Sequence, residues 1–217
     1  MSGISSEVGY GLALHTCGSE LGLAIASLDH QAPIRFQVWD LGRELSSHLH
    51  EFLQSFLPPQ TWSDLTFLAV AIGPGSFTST RIGVVTARTL AQQLNLPLFP
   101  VSSLAASAWD IRGEVPPHTP IAVQQVARRE QYFVAVYQPL LSGLETLLAD
   151  VAMTHPQWQE TRAQLPHPHH LLEIAEPSGK SVISVFNLAR LAYNQGKRPH
   201  WSETLPFYGQ HPVEGRE

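Results

Sequence analysis

Gly73-Pro74-Gly75-Ser76-Phe77-Thr78-Ser79-Thr80-Arg81-Ile82-Gly83 follows an almost unbroken apolar run at residues 65–72. Such a run reads as a strand buried on both faces. After the glycines, residues 78–95 carry a helical pattern, with Thr78 as the expected N-cap and Pro97 beyond the end. A strand, a tight glycine turn and a helix in that order place backbone N–H groups at a helix N-terminus, where the dipole favours an anion. Two readings follow for Gly73, Pro74, Gly75, Ser76, Phe77 and Thr78. One is a phosphate-loop-like turn, active or vestigial; the other is a tight turn without a ligand. The dinucleotide fingerprint is incomplete, since Thr78 holds the third glycine position.

Working outward, residues 10–16 and 22–28 are apolar runs split by Cys17-Gly18-Ser19-Glu20, which predicts a hairpin. Residues 34–41 alternate apolar and polar and predict a third strand. Residues 44–57 place Leu45, Leu49, Phe52, Leu53, Phe56 and Leu57 on one helical face before Pro58-Pro59 stops the helix. Residues 98–101 form a short strand, and Ser102 or Ser103 caps a helix through Trp109. These elements predict a mixed sheet flanked by helices. The Pro-rich stretch 113–120 is the expected boundary between a first lobe, 1–112, and a shorter second lobe, 113–217. The second lobe opens with strands at 121–126 and 131–138. Residues 139–177 are weakly patterned, with a strand near 147–151 and a short helix near 157–164. A helix at 181–195 and an extended tail follow.

The 217 residues suffice for one large domain or two small lobes. Lys and Arg total 13 against 18 Asp and Glu, a formal charge of −5. That balance disfavours a free-standing nucleic-acid binder and leaves only local basic spots at Arg128-Arg129 and Lys197-Arg198. Charged residues make up 14%, against about 25% in ordinary domains. Either a partner covers part of the surface, or the eleven His and many Gln stand in for charge. The single Cys17 excludes an internal disulfide and a multi-cysteine zinc site. The N-terminus lacks a signal-peptide pattern and no apolar run reaches the length of a membrane span, so cytoplasmic residence is expected.

Several motifs fall in the order found in the TsaB (YeaZ) family. Residues 73–83 resemble its signature G-P-G-S-F-T-G-x-R-I-G, with Ser79 in place of glycine. Residues 12–16 resemble its first strand, which normally ends Asp-Thr-Ser. Asn95-Leu96-Pro97 with Pro100-Val101-Ser102-Ser103-Leu104 resembles N-I-P…V-S-S-L. Ala127-Arg128-Arg129-Glu130-Gln131-Tyr132 resembles D-A-R-x-x-E-V-Y, and Pro206-Phe207-Tyr208 resembles the terminal P-x-Y-L-R. The resemblance implies an α/β fold of the actin-like, ribonuclease H-like class with two lobes of mixed sheet and flanking helices. It also implies a noncatalytic subunit that supports a catalytic paralog, TsaD, in placing threonylcarbamoyl on N6 of adenosine 37 in tRNA. A TsaE-like ATPase would join that complex, tRNA would be touched only indirectly, and the chain alone could form a homodimer.

The resemblance further implies that helices 44–57 and 78–95 dock on the partner, through Leu49, Phe52, Leu53, Phe56, Arg81, Ile82, Val85, Thr86 and Thr89. A specific complex would bury about 1,600 Å² or more. An active enzyme of the superfamily would need ligands that this sequence lacks. No two histidines lie four apart, so the His-x-x-x-His metal pair is missing, and His15 stands where an acid would hold magnesium. The resemblance also shows departures, with Val126 in place of the aspartate before Ala127-Arg128 and Gly209-Gln210 in place of the tail's Leu-Arg. No cofactor or metal is therefore expected. The alternatives are an active small kinase, ATPase or peptidase of the same superfamily, or a scaffold for another actin-like partner. Ser178-Gly179-Lys180-Ser181 resembles the end of a P-loop without its first glycine and reads as a capped helix start.

Overall fold

The computed structural model describes residues 9–29, 32–127, 130–207 and 209. Arg128, Arg129, Tyr208 and Gln210, singled out in the sequence, lie outside them. The first sheet has five strands: β1 (Tyr10–His15), β2 (Glu20–Ser27), β3 (Arg35–Asp40), β4 (Leu65–Ala71) and β5 (Leu98–Val101), in the order β3-β2-β1-β4-β5. The three leading strands form an antiparallel meander, while β4 and β5 run parallel to β1. The second sheet, β8 (Gly143–Thr154), β7 (Gln131–Leu140), β6 (Ile121–Val126) and β9 (His170–Ile174), has the order β8-β7-β6-β9. It repeats the plan of the first: an antiparallel meander, a helix, then a strand returning parallel to the first of the three. This duplication is invisible as a sequence repeat. The two-lobed α/β fold is thus as expected.

Side-chain alternation decides which helix covers which face. In β1, Leu12 and Leu14 point to the face covered by α1 (Leu45–Phe56) and α2 (Phe77–Leu94). Ala13 and Cys17 lie on the opposite face with Ala24, Ala69 and Ala71, under α5 (Val182–Asn194). The small residues let α5 approach closely. Gly11 takes this furthest, since a Cβ there would sit 2.2 Å from the Phe67 ring. Phe67 fills that gap and stacks with Phe99, Phe186 and Tyr193 at centroid distances of 5.4, 5.7 and 5.3 Å. On the second sheet, α3 (Ser103–Asp110) packs on Ile121, Val123 and Ala135, and α4 (His155–Ala163) places Trp158 on the other side. The α3 and α5 helices touch each other, so the layers run helix, sheet, helix, sheet, helix.

Some sequence expectations are corrected here. Strand β8 spans twelve residues rather than five, because pairing with β7 continues through bulges at Val134 and Val136. Strand β9 was not expected at all; its five residues are ordered by parallel pairing with β6. The tail makes a short 3-10 turn at Trp201–Glu203. The N-cap position of α2 is Ser76 rather than Thr78, and Ser102 caps α3 by accepting from the Leu104 and Ala105 N–H groups. Phe67→Ala is expected to cost about 3–5 kcal/mol in urea unfolding, since it removes a fully buried ring from between Gly11 and the rings of Phe99, Phe186 and Tyr193.

Candidate functional site

The turn after β4 is built for contact with the chain itself. Gly73 has φ of 100°, a left-handed value that suits glycine, and precedes a cis Pro74. Gly75 lies against the backbone of Cys17, where a Cβ would come within 2.1 Å of the carbonyl oxygen. The Ser76 N–H donates to that same carbonyl at 2.6 Å. About two turns on, Gly83 faces Thr16, whose hydroxyl a Cβ would meet at 2.1 Å. The Thr16 hydroxyl donates to the Ser79 carbonyl at 2.9 Å. Ser103 closes the other side, its hydroxyl donating to the Pro74 carbonyl at 2.5 Å. The glycines of the signature therefore permit close backbone approach between the start of α2 and the end of β1.

The β1–β2 turn is held from the second half of the chain by two carboxylates. The Ser19 N–H donates to Glu176 Oε1 at 2.7 Å. Reciprocally, Glu20 Oε2 accepts from the Gly179 N–H at 2.7 Å and the Ser178 hydroxyl at 3.2 Å. Added Cβ atoms would strike the Pro177 carbonyl oxygen at Gly18 (2.3 Å) and that of Gly179 at Gly22 (2.0 Å). The string at 178–181 is a capped turn, with Ser178 Oγ also accepting from the Lys180 N–H, and its glycine serves packing. Sequence reading missed this clamp, because each half is an unremarkable acid beside small residues and only the fold brings them together.

His15 and Cys17 are fully buried. Both ring nitrogens of His15 lack a hydrogen-bond partner among the described residues, and burial lowers its pKa to about 4. Burial pushes the Cys17 thiol up to about 11. A thiolate–imidazolium pair is thus disfavoured at neutral pH. The position also does not suit a magnesium-bound nucleotide. A neutral buried imidazole offers no carboxylate oxygen, and the adjacent turn N–H is engaged by Glu176. Among the described residues, no group of three or more His, Cys, Asp and Glu is arranged to hold a metal ion.

The expected docking residues divide into two sets. Leu49, Leu53, Phe56 and Thr86 are buried in this chain's own core. Phe52 is half-buried against Trp39, with ring centroids 4.8 Å apart. The outward side of α1 is polar, carrying Ser46, Ser47, His50, Glu51, Gln54 and Ser55. On α2, Arg81, Val85 and Thr89 are exposed and Ile82 is half-buried. Phe77 is 50% exposed and Val85 60%, and the Arg81 guanidinium lies 3.9 Å from the centre of the Phe77 ring. The outward apolar edge therefore belongs to α2.

A family described as TsaD: tRNA N6-adenosine threonylcarbamoyltransferase matches residues 44–196. The chain belongs to that family. Within it, the chain is 36% identical over 108 residues to the tRNA threonylcarbamoyladenosine biosynthesis protein TsaB of Bacillus subtilis. That match takes in 48% of this chain and 44% of the relative, so it spans less than half of the relative's length. A Pseudomonas aeruginosa protein described as similar to peptidase YEAZ shares the fold, with a TM-score of 0.75 at 20% identity, over 93% of this chain and all of that one. The YeaZ structure from the same organism gives 0.69 at 20% identity over 92% and 99%. The resemblance to TsaB (YeaZ) proteins read from the sequence is borne out.

The lowered pKa of His15 links protonation to stability. The unfolded imidazole binds a proton near pH 6.5 and the folded one only near pH 4, so stability is lost as pH falls between those values. Urea unfolding at pH 7 and pH 5 is expected to show wild type losing about 2 kcal/mol more than His15→Leu over that interval.

Proposed function

We propose that this protein is a noncatalytic docking subunit in the pathway that places threonylcarbamoyl on N6 of adenosine 37 of tRNA. Its partner in this reading is a TsaD-like catalytic paralog, joined in the complex by a TsaE-like ATPase. The observation that carries the reading is the contrast between two surfaces. The cleft position that would need an acid holds the buried, neutral His15, beside a turn clamped by Glu176. The α2 edge exposes Phe77 and Val85, with the Arg81 guanidinium laid over the Phe77 ring. Exposed aromatic and Arg side chains are the residue types that anchor protein interfaces.

In this proposal the contact is centred on Phe77, Arg81, Ile82, Val85 and Thr89, with Phe52 at its border. Leu49, Leu53, Phe56 and Thr86 act beneath it by holding the two helices on the sheet. The homodimer of the isolated chain would use the same edge, and tRNA would be contacted only through the assembled complex. The division into lobes at 113–120 is part of the proposal, with α5 of the second lobe packing on the first sheet. No described helix is long and apolar enough to cross a membrane, and the proposed place of work is the cytoplasm.

Val85→Glu tests the reading. An exposed helical site should tolerate it within about 0.5 kcal/mol of monomer stability. Affinity for the catalytic paralog, measured by calorimetry or co-purification, is expected to fall at least about 30-fold, as for a central interface residue. Wild-type affinity in that variant would reject the interface.

A further inference from the structure

A cavity of about 550 Å³ lies beside the C-terminal half of α5, and no residue of the clamped turn or of the α2 edge lines it. Its walls come from four elements: β5, the start of α3, the β7–β8 hairpin and α5. The hairpin is tied over the opening by the Gln195 side-chain amide, which donates to the Ser142 carbonyl at 2.8 Å. The volume falls in the range of small-molecule sites, about 300–1,000 Å³. Phe99, Val101, Leu144, Leu188 and Ala192 make much of the lining apolar.

Polar residues of the hairpin and of the end of α5, among them Ser142, Thr146 and Gln195, share the lining with one hydrogen-bonded cluster. Asp150 lies in the middle of β8 and accepts a hydrogen bond from the Tyr137 hydroxyl at 2.5 Å. The Tyr137 oxygen also lies 3.3 Å from Ser102 Oγ. Ser102 accepts from the first N–H groups of α3, so its own proton is available to the carboxylate, and both hydroxyls favour the charged form of Asp150. Burial acts the other way and pushes the Asp150 carboxyl above its ordinary range. No Lys, Arg or His forms an ion pair with it among the described residues. Its own backbone N–H also donates, so three donors serve a carboxylate that has about four acceptor positions. The charged residues of the lining are Glu145, Asp150 and Lys197, one acid in excess.

Neither packing nor capping requires an acid here. The cap of α3 is made by Ser102, and a neutral side chain would satisfy the Tyr137 hydroxyl equally well. An open, partly apolar cavity with one oriented carboxylate is complementary to a small apolar body that bears a protonated amine. We propose that this cavity is a binding site for a small primary amine, with the ammonium on Asp150 and the hydrocarbon part against β5 and α5. The proposal is independent of the docking role, which uses other surfaces.

Benzylamine is a suitable probe, with benzyl alcohol and benzoate as neutral and anionic counterparts of nearly the same shape. Titration of the full-length protein followed by amide NMR is expected to show saturable benzylamine shifts at Ala105, Ala189 and Ala192. Benzyl alcohol should bind more weakly and benzoate not at all. Asp150→Asn should weaken benzylamine at least tenfold, a loss of about 1.4 kcal/mol. Ala192→Phe, which fills the chamber and leaves Asp150 in place, should abolish binding while circular dichroism stays native. The proposal is overturned if benzylamine gives no saturable shifts up to about 20 mM, the weak end of specific binding. It is equally overturned if benzoate binds as well as benzylamine, or if either folded variant binds like wild type.

Discussion

The hydrogen bond from the Ser76 N–H to the Cys17 carbonyl fixes the relation between the first strand and the second long helix. It forms only because the chain carries no side chain at Gly75 and Gly83, the two points where backbone meets backbone and helix meets Thr16. A bulky residue at either position would force the helix outward by more than the core could follow. With α2 held there, Val84, Ala87 and Ala91 are buried on the sheet. Phe77, Arg81 and Val85 then have no choice but to face out, since a helix presents opposite faces to opposite sides. The exposed edge is in this sense a consequence of the glycine contact.

The same economy of side chains shapes the layer between the sheets. Alanines and glycines on one face of the first sheet let α5 settle close, and Phe67 occupies the space that Gly11 leaves. Helix α3 leans on α5 from the other side, and Ser181 and Ser184 both hydrogen-bond the Asp110 carboxylate at its end. The two halves of the chain are joined further by the reciprocal clamp of Glu176 and Glu20. The β1–β2 turn is thus surrounded by groups of this chain, and it carries no acid on the strand that precedes it. These contacts fasten the β1–β2 turn to the second half of the chain.

Much of the first sheet was legible because its signals are local. The alternating pattern of β3, the apolar run of β4 and the face of α1 each follow from periodicity within a dozen residues. The second half was harder. Strand β9 is five residues flanked by Pro and His, and it is ordered by parallel pairing with β6 and by Leu171, Leu172 and Ile174 packing on the two faces of the sheet. Strand β8 carries bulges that break the alternation. At the candidate site, the turn was found from its glycines, which mark the close approach of α2 to the end of β1. Which of the apolar residues on α1 point inward was not decided by composition, so Leu49, Leu53 and Phe56 were expected at a surface that they instead support from below. The Glu176 and Glu20 clamp and the Asp150 chamber join residues far apart in sequence, and no local pattern announces such contacts.

The central claim is that the outward edge of α2, and not the polar side of α1, is the surface through which this protein acts. Site-specific photocrosslinking tests it directly. A benzophenone side chain is placed at Val85 or, separately, at His50, and each protein is irradiated with the TsaD-like paralog. The account requires a crosslink to the paralog from position 85 and none from position 50. A crosslink from position 50 alone, or from neither in a complex that still co-purifies, would contradict it.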